Sequence, residues 1–137
     1  MLRKVAKVDL LQRVPLFSQC NKKQLASIAQ LGDVVAVPAG TDVIREGEVG
    51  YEFLIFVEGA GVVSRKGRKI DTIGPGDFVG EMALLTQAPR NASVKTTSAT
   101  TLLALHSREF RSLLGESPDI QRKILDAVVE RLPPQAV

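Results

Sequence analysis

One cysteine, one histidine and no tryptophan occur in 137 residues, and aromatic side chains make up only 4%. The single cysteine, Cys20, excludes an internal disulfide and a cysteine-cluster metal site. It suits a reducing compartment, so a cytoplasmic setting is expected. The lone histidine, His106, excludes a histidine-rich metal centre and leaves any Ser-His-Asp or Cys-His arrangement dependent on that one side chain. A solitary histidine at a strand end is more often structural than catalytic, and no metal is expected. The scarcity of aromatics argues against a platform for stacking bases. No apolar run is long enough to span a bilayer. The basic start Met1-Leu2-Arg3-Lys4 is not followed by an apolar core of signal-peptide length, so no secretory leader is expected. Low-complexity segments and internal repeats are also missing.

What is present is ordinary for a soluble chain: 45% hydrophobic and 24% charged residues, with a net charge of +3. The cations are scattered and interleaved with acids. The densest group, Arg65, Lys66, Arg68 and Lys69, reads as a solvated hairpin turn around Gly67, so no nucleic-acid partner is expected within this chain. The length suits a single domain over residues 1–137.

Its first part, about 1–32, reads as helical. Val5, Val8 and Leu11 recur at helical spacing before Val14-Pro15. Asn21 followed by Gln24 predicts a capping box for a helix with Leu25, Ile28 and Ala29 on its buried stripe, closed by Gly32 as a C-terminal cap. From Asp33 the period falls to about two. Val35, Val37, Val43 and Ile44 alternate with polar or small residues, and turn signals follow about every ten residues. Phe53-Leu54-Ile55-Phe56-Val57 is continuously apolar, as in a central strand of a closed or rolled sheet. Short strands thus fill about 33–106 and predict an all-β barrel or sandwich. Two helices follow over about 107–132. Ser107 is expected to cap the first, which carries Phe110, Leu113 and Leu114 and breaks at Gly115. Ser117-Pro118-Asp119 starts the second, whose shared face is Ile120, Ile124, Ala127, Val128 and Leu132, with Pro133-Pro134 ending it.

The stretch from Gly76 to Ser93 carries the chemistry. Gly76 and Gly80 permit tight turns and close approach. Met82-Ala83-Leu84-Leu85 form a short helix whose leading N–H groups can receive an anion, and Pro89 stops it. Arg90 follows at once and can complete a phosphate clamp with its planar fork of donors. Glu81 would repel a phosphate, so its expected role is to accept hydrogen bonds from a neighbouring hydroxyl pair, as on a ribose. On these two residues alone, an ion pair across a loop is an equal alternative.

The full spacing resembles the phosphate-binding cassette of the cyclic nucleotide-binding domain family, whose pattern runs Phe-Gly-Glu-x-Ala-Leu, a gap, then Arg-x-Ala. Here it stands as Phe78-Val79-Gly80-Glu81-Met82-Ala83-Leu84 and Pro89-Arg90-Asn91-Ala92-Ser93. The resemblance extends from roughly residue 10 to 132. It implies a mainly β fold with flanking helices: an eight-stranded, jelly-roll-like β-roll with N-terminal helices and two C-terminal helices, as in catabolite activator protein and the regulatory subunits of cyclic-AMP-dependent kinase. It implies Gly80, Glu81, Met82, Ala83, Arg90, Asn91 and Ala92 as ligand-binding residues, with Glu81 on the ribose 2′-hydroxyl. One departure is Tyr51, where the family often carries an acid after Gly50; that loop is expected to lie clear of the phosphate site.

Three function classes follow. A regulatory module that binds a cyclic nucleotide and moves its C-terminal helices is the leading one, with no enzymatic activity. A cupin-like enzyme would need more metal-binding side chains than this chain has. A DNA-binding regulator would need a helix-turn-helix beyond the last helix, and none is expected within this chain. Cyclic AMP is the expected ligand, because the threonine that favours cyclic GMP in the family is here Asn91. Cyclic GMP, or a degenerate β-roll that binds no nucleotide, are the alternatives. An effector domain or partner protein would lie outside this sequence.

Overall fold

The computed structural model describes residues 4–131. Helix α1 (Lys4–Gln12), a single 3-10 turn (Pro15–Phe17) and α2 (Lys22–Leu31) precede the strands. Then come β1 (Asp33–Val37), β2 (Asp42–Ile44), β3 (Glu52–Glu58), β4 (Gly61–Arg65), β5 (Arg68–Ile73) and β6 (Phe78–Val79). Helix α3 (Glu81–Thr86) interrupts the run before β7 (Ser93–Thr96) and β8 (Thr100–His106), and α4 (Ser107–Leu114) and α5 (Pro118–Arg131) close it. The eight strands form two four-stranded sheets, β1-β8-β3-β6 and β2-β7-β4-β5, with antiparallel pairing throughout. This is the mainly β, eight-stranded roll with flanking helices that the sequence leads one to expect.

The apolar run of β3 has two partners to satisfy. Successive side chains of a strand point to opposite faces. Phe53, Ile55 and Val57 join Leu103 and Leu105 of β8 in a core shared with the helices, through Leu11, Phe17, Leu25, Ile28, Phe110, Leu113, Ile120 and Ile124. Leu54 and Phe56 face the inside of the roll with Ile44, Ile73, Val79, Val94, Leu102 and Ala104. Both faces are covered, so no polar alternation is needed. In β1, Val34 packs on the helical core, Val37 packs on the inside of the roll, and Val35 is exposed.

Several end signals work as read, and others work for a different reason. Asn21 and Gln24 form the reciprocal capping box, at 2.8 and 3.0 Å. The Ser117 hydroxyl accepts from the Ile120 N–H at 3.1 Å, and Pro118 opens α5. Gly32 does end α2, but with φ −121°, not in the left-handed form of a glycine cap. Its lack of a Cβ matters because one would lie 2.7 Å from the Ala104 carbonyl oxygen. Ser107 does not cap α4. His106 holds that position, and the Ser107 hydroxyl instead donates to the Tyr51 carbonyl at 3.4 Å. On α5, Ile120 and Ile124 are buried and Ala127 and Val128 half-buried. Leu132 and Pro133-Pro134 lie outside the described residues, as do residues 1–3 and the side chain of Val5.

Candidate functional site

The segment from β6 to β7 is built from turns rather than from long elements. Gly80 leaves β6 with φ 99°, and α3 begins at Glu81. The helix stops at Gln87, which adopts the left-handed conformation at φ 57°, two residues before Pro89. Gln87, not Pro89, is thus the terminator. Met82 and Ala83 lie in the first turn of α3, and Asn91 and Ala92 follow Arg90 on the way into β7.

Both charged candidates lie inside. Glu81 has no exposed surface and Arg90 retains 9%. That removes the alternative of an exposed pair bridging a loop. The Arg90 guanidinium donates from Nη1 to the Gly80 carbonyl at 3.0 Å and from Nη2 to the Glu52 carbonyl at 2.7 Å. Those bonds use two of the five donors a guanidinium carries. Burial pulls the Arg90 pKa down, and the carboxylates of Glu52 and then Glu81 oppose that shift. An arginine nevertheless stays cationic in a protein. The result is a buried positive charge held by main-chain carbonyls, with two acids in its field.

The main chain around Arg90 is stapled to the loop before β3. Arg90 N–H donates to the Glu48 carbonyl at 2.9 Å, and Gly47 N–H donates to the Arg90 carbonyl at 2.8 Å. The Ser93 hydroxyl accepts from the Glu46 N–H at 2.9 Å. Arg65 Nε donates to the Asn91 carbonyl at 2.8 Å, fixing the residue after the clamp. The loop carrying Tyr51 therefore does touch the clamp. Gly50 packs on the Arg90 side chain and Glu52 supplies an acceptor. This overturns the expectation that the loop stands clear. Glu48, Gly50, Glu52, Arg65 and Ser93 are the contributors that residue types alone do not reveal, since most act through main-chain atoms.

Beside the clamp lies a cavity of about 480 Å³ between this loop, α3 and α4. Val49, Tyr51, Leu84, Phe110, Arg111 and Leu114 line it, with Gly50 and Ala88 on the side of Arg90. Glu81 and Arg90 are not among its described lining residues. Phe110, one of its lining residues, ends a row of three rings. Phe78 of β6 is 5.5 Å from Phe53 of β3, which is 4.7 Å from Phe110 of α4.

Among the described residues, no three metal-ligating side chains come together and no helix is long and apolar enough to cross a membrane. His106 is exposed where β8 meets α4. The family model for the cyclic nucleotide-binding domain matches residues 34–117, which covers all but the first residue of the roll, the cassette and α4. The chain belongs to the cyclic nucleotide-binding domain family. It is 35% identical over 123 residues to a cyclic nucleotide-gated potassium channel of Rhizobium etli, covering 90% of this chain and 34% of the channel. A solved structure of cAMP-bound PfPKA-R superposes with a TM-score of 0.82 at 28% identity, over 93% of this chain and 45% of that one. The regulatory subunit of a cAMP-independent protein kinase A from Trypanosoma brucei superposes with a TM-score of 0.79 at 25% identity, over 90% of this chain and 47% of that one. The chain spans about a third of the length of the curated relatives it matches, 34% for the channel. The family consists of ligand-binding regulatory modules, not of catalysts.

Proposed function

We propose that this chain binds cyclic AMP in the cassette and that occupancy shifts α4 and α5. The observation that carries the reading is the buried Arg90, fixed by the Gly80 and Glu52 carbonyls beside a fully buried Glu81. A cyclic phosphate would sit against N–H groups near Ala83 and Asn91, with remaining donors of Arg90 directed at it. The cyclic phosphate already occupies the ribose 3′-oxygen, so the free 2′-hydroxyl would donate to Glu81. Gly80, Met82 and Ala92 complete the cassette as close main-chain neighbours. Cyclic AMP is preferred to cyclic GMP because Asn91 stands where a threonine would favour guanine.

The coupling rests on packing. Phe110 of α4 touches the ring that touches Phe78 at the start of the cassette. The adjoining cavity gives α4 room to close, and α5 would follow, with the break at Gly115 as hinge. Such a shift requires tighter binding to the closed arrangement than to the open one. In a longer protein, that movement would be passed to an effector.

One observation favours a second reading. Two Arg90 donors already rest on carbonyls, as a purely structural arginine's would, and a cAMP-independent regulatory subunit shares the fold. In that reading the roll is an interaction module that binds no cyclic nucleotide. Calorimetric titration with cyclic AMP and cyclic GMP, alongside mass spectrometry of nucleotides released from denatured protein, separates the two. Saturable binding with cyclic AMP tighter supports the proposal, tighter cyclic GMP reverses the base preference, and no binding of either establishes the second reading.

A further inference from the structure

Gly50 is the residue whose glycine identity the backbone does not explain. Its φ lies outside the left-handed region, unlike Gly40, Gly47 and Gly80, so any residue could adopt its conformation. Space is what forbids a side chain. A Cβ at Gly50 would overlap Nε and Cζ of Arg90 and lie 2.6 Å from its Cδ. At the end of the guanidinium, a Cβ at Gly80 would lie 2.8 Å from Arg90 Nη1 and 2.6 Å from the Glu52 carbonyl oxygen. The arginine therefore lies in a slot walled by two glycines and ended by the Gly80 and Glu52 carbonyls. The clashing atoms belong to a flexible side chain, so a substitution at Gly50 displaces Arg90 more readily than it disturbs the strands.

We propose that Gly50 is a positioning residue: its missing side chain is the slot that holds Arg90 in register with the cassette, and the slot sets affinity for the anionic ligand. This rests on the reading of the cassette as a cyclic nucleotide site. Binding sites lose function when their supporting residues let a contact group move by about an ångström. A residue that touches only the arginine can therefore control the ligand without meeting it.

The test reads Arg90 without ligand and then with it. Phenylglyoxal labelling followed by peptide mass spectrometry reports the accessibility of each arginine. In the parent protein Arg90 should label far more slowly than exposed Arg68. Gly50→Val should bring the Arg90 rate close to that of Arg68 and weaken cyclic AMP by roughly tenfold or more, as expected for a displaced binding group. Gly50→Ala, a smaller intrusion, should shift both in the same direction and serves if the valine variant does not fold. Gly40→Ala is the control. It strains a φ of 81° where nothing lies within 4 Å, and it should lower stability with Arg90 labelling and affinity unchanged. The proposal is overturned if the Gly50 variants leave Arg90 labelling at the parent rate, or raise it with no loss of affinity. If the parent binds no cyclic nucleotide, the functional reading fails by itself. The link from slot to affinity falls with it, and labelling alone then decides whether Gly50 holds Arg90.

Discussion

Strands β3 and β8 and the cassette between β6 and β7 are held in place by opposite means. In the strands, Phe53, Ile55, Leu103 and Leu105 have no exposed surface, and both faces of the ladder are packed with apolar side chains. At the cassette, Gly80, which joins a two-residue strand to a six-residue helix, is held by one buried cation, whose side chain also binds the Glu52 carbonyl and whose main chain is bonded to Gly47 and Glu48. Apolar burial is non-directional and scales with area, so it secures the roll without fixing any one contact. Hydrogen bonds to a guanidinium are directional, so they fix one contact with little contribution to the bulk of the fold. Stability and recognition should therefore separate under mutation.

The largest effect belongs to the strands. Phe53→Ala removes the ring between Phe78 and Phe110 and should cost about 3–5 kcal/mol of stability in urea unfolding, the range for buried phenylalanine truncation. A loss below about 1 kcal/mol would mean that the shared core does not depend on this strand. The cassette should respond the other way. Arg90→Ala should weaken cyclic AMP by roughly 2–5 kcal/mol, as when one side of a buried charged contact is deleted. Its stability cost should be smaller, about 1–3 kcal/mol for leaving the Gly80 and Glu52 carbonyls without their donor. Parent-like affinity in this variant would assign Arg90 a structural role alone.

The smallest effect sharpens the comparison within the cassette. Glu81→Gln should weaken cyclic AMP by roughly 1.5–3 kcal/mol, and a 2′-deoxy analogue should lose a similar amount on the parent protein. On the variant the analogue should lose little more, since both changes remove one contact. Calorimetry of the four combinations measures this, and fully additive losses would show that Glu81 does not read the ribose.

Legibility from the sequence follows the same division. Apolar spacing declares itself in residue types, so the flanking helices, a run of short strands and the doubly covered run at Phe53–Val57 could be read directly, while the count of eight strands came from the family resemblance. The Asn21–Gln24 box was legible because both partners are side chains with a fixed separation. What escaped acts through the main chain or through empty space. The Glu52 carbonyl that holds Arg90 carries no side-chain signature, and Gly50 resembles a turn glycine until the arginine is seen against it. Gln87 ends α3 in a left-handed conformation that glycine or asparagine would have announced more clearly.

The most direct measurement of the central claim is a thermal melt of the parent protein with cyclic AMP and, separately, with linear 5′-AMP. At about a hundredfold excess over its dissociation constant, cyclic AMP should add about 2.7 kcal/mol. For a chain of this size that is a rise on the order of 10 °C in the melting temperature. Linear 5′-AMP at the same concentration should add far less, because its phosphate is not tied to the 3′-oxygen and does not match the cassette. Equal shifts from the two nucleotides, or none from either, would contradict a site built for a cyclic phosphate.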